Sequence, residues 1–182
     1  MDVNELYNKT ANALIKKIRA TRGLTGFAKR RAKFEGWLKV EIIDALINNE
    51  YAEALPEVDR IDVTIEKLSV AIELKTINTN YRYENVDILT RPIKDNIDGI
   101  IRDIKQLRIN DKYDHKFIVF IAFPTEHNKP KWQEHLSKIN PHIKEGIARN
   151  FKFCNNVPAV IYYGKIAKHK NNGNTGFSLQ TK

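Results

Sequence analysis

The sequence has a single cysteine, Cys154, so no disulfide can form within its 182 residues. This argues against the small secreted proteins that depend on disulfides and is typical of a reducing compartment. The longest apolar run, residues 117–123, is too short to cross a bilayer, and the first residues include Asp2 and lack the apolar segment of a signal peptide. We therefore expect a cytoplasmic protein without a membrane partner, in which Cys154 is a small buried side chain.

Motifs of several common enzyme classes are also missing. Gly23 and Gly26 lack the Gly-Lys-Ser/Thr context of a phosphate-binding loop, and no serine lies in a Gly-x-Ser-x-Gly turn. The histidines do not have the spacing of zinc ligands; they are His115, His127, His135, His142 and His169. These absences argue against P-loop nucleotidases, serine hydrolases of this type and zinc enzymes.

Acidic residues are absent from two long stretches near the ends of the chain. Between Glu5 and Glu35 there are nine Lys or Arg and no acid, and after Glu145 there are six and no acid, within a net charge of +9. The central residues, 35–145, are net negative. Basic flanks around an acidic centre suit a protein that contacts a polyanion and holds cations between its contacts. The alternative is a solvated basic surface without function.

Hydrophobic periodicity predicts an α/β fold with a mixed central β-sheet flanked by helices, and with helices at the N-terminus. The predicted elements are helix 3–20, loop 21–26, helix 29–48, strands 60–65 and 70–74, a polar stretch 76–96, helix 97–107, strand 117–123, helix 131–147 broken at Pro141, and strand 157–163. We expect one domain over residues 1–182. It comprises a basic N-terminal helix and loop over 1–28, an α/β core over 29–165 and a flexible tail over 166–182.

The two strands around Lys67 and Leu68 are predicted to form a hairpin. If these two residues form the turn, three apolar pairs share one face of the hairpin: Ile65 with Val70, Val63 with Ile72, and Ile61 with Leu74. The other face then pairs Asp62 with Glu73 and Arg60 with Lys75. Directly opposed residues have Cβ atoms about 4.5–5.5 Å apart, and like charges at that separation destabilise a hairpin.

The paired carboxylates therefore require a compensating charge, and a divalent cation would supply it. Carboxylate oxygens with open water positions are the ligands that Mg²⁺ prefers. We expect Mg²⁺ to bind between Asp62 and Glu73.

Glu41 interrupts the apolar stripe of the helix predicted over residues 29–48. The neighbouring stripe residues all face inward: Phe34, Trp37, Leu38, Ile42, Ala45 and Leu46. A buried carboxylate is costly unless it is paired or bound to a metal. Glu41 is therefore either a metal ligand or an edge residue that reaches solvent or pairs with Arg60 or Lys75.

Three segments together resemble the motifs of the PD-(D/E)xK nucleases, the superfamily that includes many restriction and repair endonucleases. They are Phe34–Glu41 (FEGWLKVE), Arg60–Val63 (RIDV) and Ala71–Lys75 (AIELK). Ile61 stands where the motif name has proline, and Gln106 and Tyr113 lack the spacing of the branch that has a later Gln and Tyr. The resemblance spans residues 30–125 and implies a restriction-endonuclease-like core.

This resemblance implies a metal-dependent nuclease that hydrolyses phosphodiester bonds by an endonuclease reaction. Glu41, Asp62 and Glu73, with the backbone carbonyl of Leu74, would bind Mg²⁺ or Mn²⁺ in its place. Lys75 would position or activate the attacking water. The implied substrate is DNA, in restriction, repair or recombination, with RNA as the alternative. A homodimer is expected by analogy alone.

Cationic residues that would bind the phosphate backbone are expected mainly in the N-terminal segment, with others in the polar stretch after the second strand. They are Lys16, Lys17, Arg19, Arg22, Lys29, Arg30, Arg31, Lys33, Arg82 and Arg91. The stretch 78–91 is either a substrate loop or an ordinary surface loop. Two other functions remain open for the whole chain: a non-catalytic nucleic-acid-binding module, and a partner-dependent subunit of a defence or repair complex.

Overall fold

A computed structural model describes residues 1–51, 53–88, 92–168 and 176–180. The α-helices in these ranges are α1 Val3–Ala20, α2 Gly23–Arg30, α3 Glu35–Ile47, α4 Ile93–Arg108 and α5 Pro130–Ile139. The strands are β1 Ala54–Val58, β2 Ile61–Ile65, β3 Val70–Asn78, β4 His115–Phe123, β5 Ile143–Lys152, β6 Pro158–Ile166 and β7 Phe177–Leu179. They form one mixed sheet in the order β1-β2-β3-β4-β6-β5-β7, with β3–β4 and β5–β7 parallel.

Helices cover both faces of this sheet, as the sequence predicted. Helices α1 and α3 pack on one face, where they enclose a core that includes Val63, Ile72 and Leu74. Helices α4 and α5 pack on the other face against Ala71 and Ile77. Because side chains alternate along a strand, Glu73 and Lys75 lie on the α4 face, between Ala71 and Ile77. The α/β class with a mixed sheet is thus confirmed.

The predicted register of the β2–β3 hairpin is confirmed where the two strands pair. Val63 faces Ile72 and Ile65 faces Val70. The turn is longer than the two residues supposed, because a 3₁₀ helix, Glu66–Leu68, and Ser69 in the left-handed region (φ 52°) connect the strands. The β2–β3 register is the predicted one despite the longer turn, because the buried apolar residues determine it.

The predicted pairs of Ile61 with Leu74 and Arg60 with Lys75 do not form. Asp59 and Arg60 both have positive φ and make the two-residue turn of a β1–β2 hairpin, in which Val58 faces Ile61. Strand β2 therefore begins at Ile61, and Arg60 lies in a turn rather than opposite Lys75. Asp59, the acid three residues before Asp62, forms an ion pair with Lys112 and not with the strand β3 residues.

The N-terminal region contains three helices where two were predicted. Residues 23–30, expected to be mostly loop, form α2, which ends at Arg31 in the left-handed conformation. Helix α3 then begins at Glu35, so the single predicted helix over 29–48 is wrong in its first part. The break places Arg31 and Phe34 in a connection that folds back onto the end of β3, where Phe34 N–H donates to Thr76 Oγ1.

The predicted helix over 131–147 is also wrong beyond Pro141. Helix α5 ends at Ile139, a 3₁₀ turn Asn140–His142 follows, and β5 runs from Ile143 to Lys152. Proline cannot continue the hydrogen-bond ladder of a helix. The chain therefore leaves α5 as an inner strand of the sheet, paired with β6 and β7.

Part of the region expected to be a flexible tail is a strand. Gly146 and Gly164 are cross-strand partners, and the ring of Phe177 lies directly over both. A Cβ at Gly146 would collide with this ring, and a Cβ at Gly164 would collide with Ile143 and crowd the ring. Phe177 also contacts the Phe120 and Tyr162 rings, which explains why β7 pairs with β5.

Two smaller findings bear on the other sequence expectations. Cys154 is exposed rather than buried, and its thiol donates to the Arg19 carbonyl. Within the ranges that the structure describes, none of the helices has the length and apolar character needed to span a membrane.

Candidate active site

Strands β2 and β3 separate just where the candidate acids lie. Regular pairing ends at Val63 and Ile72. Leu74 N–H, which would next bond to β2 backbone, donates to Asp62 Oδ2 at 2.8 Å. Thr76 N–H, two residues further along the same edge of β3, donates to Glu35 Oε1 at 3.0 Å. Two carboxylates therefore replace the missing strand along this edge.

The Leu74 carbonyl faces the gap where strands β2 and β3 separate. The N–H and C=O of one strand residue point to the same side of the strand, and Leu74 N–H points toward Asp62. Since a strand rises about 3.3 Å per residue, the amide groups that hold Asp62 and Glu35 are roughly 7 Å apart along β3. The carbonyl of Leu74 lies between them.

Glu73 is hydrogen-bonded to Asp62 across the two strands. Burial, followed by the negative charges of Asp62 and Asp103, raises the pKa of Glu73 to about 8, although the Lys75 ammonium acts in the opposite direction. A second negative charge beside Asp62, on a group with little water around it, is unfavourable, so burial and Asp62 together favour the protonated form of Glu73. At neutral pH and without a cation, Glu73 is mainly protonated.

Lys75 lies on the same face of β3 as Glu73, and α4 holds its ammonium. Lys75 Nζ is 2.9 Å from Asp103 Oδ2. Burial alone would lower the pKa of Lys75, but the hydrogen bond to Asp103 and the charges of Asp103, Glu35 and Asp62 outweigh burial and raise it. The ammonium is therefore charged and fixed beside the carboxylate pair.

Lys39 is a second ammonium in this cluster, and the sequence reasoning missed it. Its Nζ lies 2.7 Å from Asp62 Oδ1, and it also pairs with Glu57 at the edge of β1. Burial lowers the pKa of Lys39, but its bonds to Asp62 and Glu57 more than compensate. Lys39 lies one helical turn after Glu35, so one face of α3 delivers both side chains to the β2–β3 gap.

Glu41, the predicted helix ligand, lies elsewhere in α3 and contacts another partner. Its Oε2 is 2.6 Å from Lys17 Nζ on α1, and its side chain is 14% exposed. The pairing explains how a carboxylate is tolerated within the stripe, but the partner is neither Arg60 nor Lys75. The acid that α3 brings to β3 is Glu35. The sequence indicated Glu35 only by its place in the motif segment Phe34–Glu41, six residues before Glu41.

The oxygen donors of this site meet part of what a divalent cation requires. Asp62, Glu73 and the Leu74 carbonyl supply oxygen ligands of the kind that Mg²⁺ prefers, and a cation would displace the proton on Glu73. Within residues 1–51, 53–88, 92–168 and 176–180, however, no three His, Cys, Asp or Glu side chains are already grouped as a metal site. The pair fits a metal, and a third carboxylate would have to move to join it.

Most of the predicted phosphate-binding residues are exposed on α1 and α2, away from the carboxylate pair, and two of them are paired with acids. Lys17 contacts Glu41 and Asp44, and Arg30 contacts Asp87. Lys33 differs, because it lines a cavity together with Lys75. The exposed members of the set are Lys16, Lys17, Arg19, Arg22, Lys29, Arg30, Lys33 and Arg82, while Arg91 lies outside the described residues.

Arg31 is wrongly included in that set, because its side chain is only 3% exposed. Its guanidinium donates to three backbone carbonyls of the segment after β3, those of Thr79, Tyr81 and Asp87. The segment expected to be a substrate loop or an ordinary loop is thereby held against the end of α2. A planar group with five donors can satisfy several carbonyls at once, which explains an arginine here.

Comparisons with known proteins gave no match among the family models, the curated proteins or the solved structures. The geometry of these residues is therefore the basis for assigning a function.

Proposed function

We propose that this protein is a metal-dependent nuclease of the PD-(D/E)xK type with a restriction-endonuclease-like core. The observation that carries the proposal is the opposition of Asp62 and Glu73 on adjacent strands, with the Lys75 ammonium on the same face. Two carboxylates forced together beside a fixed ammonium are costly for a fold. Metal-assisted phosphodiester hydrolysis explains why all three are present.

In this proposal Asp62, Glu73 and the Leu74 carbonyl hold Mg²⁺, or Mn²⁺ in its place, and Glu35 takes the role first given to Glu41. The metal supplies a bound water of lowered pKa and neutralises charge on the phosphate. Lys75 orients the attacking water, or stabilises the extra charge of the transition state, from its position against Asp103. Lys39 neutralises Asp62 while the metal is absent.

Lys39 also provides the observation that favours a second candidate. Because Asp62 is already satisfied by Lys39 and by Leu74 N–H, the cluster is electrostatically balanced without a metal. A non-catalytic nucleic-acid-binding module, or a subunit that becomes active only with a partner, would have such a balanced cluster. A homodimer stays an expectation by analogy, which the mass of the protein in solution would test.

The deciding experiment is cleavage of supercoiled plasmid and of single-stranded DNA and RNA by the purified protein, with Mg²⁺, Mn²⁺ or EDTA. We expect metal-dependent cutting that is lost in Lys75→Ala and Asp62→Asn. The matched control is Lys105→Ala, which removes an exposed lysine of α4. A protein that binds nucleic acid but neither binds metal nor cuts would support the second candidate and refute the nuclease.

A further inference from the structure

A polar cavity of about 150 Å³ opens beside the carboxylate cluster, on the α4 face of the sheet. Its wall includes Lys75 and Thr76 from β3, Lys33 from the α2–α3 connection, and Asn96 and Arg102 from α4. A cavity of this volume holds benzene in another protein, and a phosphate group has fewer non-hydrogen atoms. The space therefore accommodates one phosphate.

Cationic groups outnumber acids in this wall. Lys33, Lys75 and Arg102 line the cavity together with Asp95 and Asp103. Asp103 already forms an ion pair with Lys75, at 2.9 Å. Lys33 and Arg102 therefore remain, opposed within the wall by Asp95, so the free charge of the cavity lining is positive; Glu35, outside the lining, lies 3.8 Å from Lys33.

The two remaining cations are available to a ligand. Lys33 has only a loose contact with Glu35, at 3.8 Å, and its side chain is 53% exposed. Among the residues that the structure describes, Arg102 has no ion pair or hydrogen bond, and it lines the cavity beside Gly99. Its guanidinium is therefore available to a ligand, and arginine binds phosphate oxygens in a bidentate manner.

We propose that this cavity is a phosphate-binding subsite, in which Lys33 and Arg102 hold the backbone phosphate next to the bond that is cut. The inference rests on the proposed nuclease function, because the cavity shares Lys75 with the carboxylate cluster. The ligand class is a phosphate ester of a nucleic-acid strand, either internal to the strand or at its 5′ end. The role of Lys33 and Arg102 is binding and positioning.

The test measures binding without metal, so that cleavage does not enter. Fluorescent oligonucleotides with a 5′-phosphate or a 5′-hydroxyl are titrated in EDTA, with inorganic phosphate as competitor. Lys33→Ala and Arg102→Ala should each weaken binding about tenfold, as expected for the loss of one hydrogen bond to a charged group. Each should also reduce the slope of log K against log salt by about 0.7–0.9. Lys105→Ala should change neither quantity.

The same titration distinguishes a terminal phosphate from an internal one. If Lys33→Ala and Arg102→Ala weaken the binding of the 5′-phosphorylated oligonucleotide alone, the subsite holds a terminal phosphate. If they weaken the binding of both oligonucleotides equally, it holds an internal phosphate. Either result supports the subsite. If both variants bind like Lys105→Ala, the proposal is overturned, even for a wild-type protein that cuts DNA. Weakened binding in a protein that never cuts would retain the subsite and reject the nuclease.

Discussion

The ammonium of Lys75 lies 2.9 Å from Asp103 Oδ2, so a strand and the helix that covers it are joined at the centre of the candidate site. Asp103 opposes the effect of burial on Lys75 and keeps the ammonium charged. A lysine that must act beside two carboxylates needs both a fixed position and a fixed charge, and this one contact supplies both.

Replacing Asp103 with asparagine should therefore lower the pKa of Lys75, because burial would then be less opposed. The variant should also lose about 1–3 kcal/mol of unfolding free energy, since the half-buried Lys75 ammonium loses its charged partner. The Lys75 Nζ resonance, followed by NMR against pH, measures the first effect and urea denaturation the second. Asp98→Asn, on an exposed position of the same helix, is the control. An unchanged titration of Lys75 would show that Asp103 does not position it.

Glu73 predicts an unusual dependence of stability on pH. Its folded pKa of about 8 lies above the ordinary value of 4.5, so the folded state binds more protons than the unfolded state between these values. Stability is then fully present below about pH 4.5 and is lost as pH rises through 8. The loss should be on the order of 5 kcal/mol from this group, since each unit of pKa difference is worth about 1.4 kcal/mol. Glu73→Gln should be insensitive to pH over this range and more stable than the wild type at pH 9.

Urea denaturation at several pH values compares the two proteins, and Mg²⁺ provides a second arm. Because a metal displaces the proton on Glu73, Mg²⁺ should stabilise the wild type more at pH 8 than at pH 6 and should not stabilise Glu73→Gln at either pH. Parallel stability curves for wild type and variant would contradict a raised pKa of Glu73.

The core of the hairpin could be predicted from the sequence because the alternation of apolar residues fixes the faces of a strand. Val63, Ile65, Val70 and Ile72 leave only one register with a buried face. The same pattern placed Asp62 and Glu73 opposite each other before any coordinates were known. Arg60 was wrongly predicted to lie in strand β2, opposite Lys75. A two-residue turn at positive φ is difficult to recognise in a sequence when it contains neither Gly nor Asn.

The wrong prediction for β5 and the omission of Glu35 have one physical cause. In both, the local sequence pattern suggests one structure or role, and contacts with distant residues determine another. The first residues of β5 have apolar spacing compatible with a helix, and only their pairing with β6 shows that they form a strand. Glu35 was overlooked because an acid in the first turn of a helix already has an explanation in the helix dipole. Its contact with Thr76 N–H depends on residues 41 positions apart in the chain.

Glu35 and Glu41 offer a direct test of which acid serves the site. Glu35→Gln should reduce cleavage, or the affinity for Mg²⁺, by about 10–100-fold, the effect typical of losing a group that supports a metal site. Glu41→Gln should leave cleavage close to wild type, because Glu41 pairs with Lys17 on α1 and Lys17 keeps its contact with Asp44. Plasmid cleavage and calorimetric Mg²⁺ titration check both. The opposite ranking of the two variants would restore Glu41 as the ligand.

Arg31 should act on stability and not on nucleic-acid binding. Its guanidinium satisfies the carbonyls of Thr79, Tyr81 and Asp87, and Arg31→Ala leaves them without their donor. Since an unsatisfied buried group costs about 1–3 kcal/mol, and water can reach part of this segment, the variant should lose roughly 3 kcal/mol. Hydrogen exchange should accelerate across residues 79–88. The exposed neighbour Arg30 is the matched control, and Arg30→Ala should cost less than about 0.5 kcal/mol. If Arg31→Ala instead kept full stability but lowered the salt dependence of DNA binding, Arg31 would be a phosphate contact, as the sequence alone predicted.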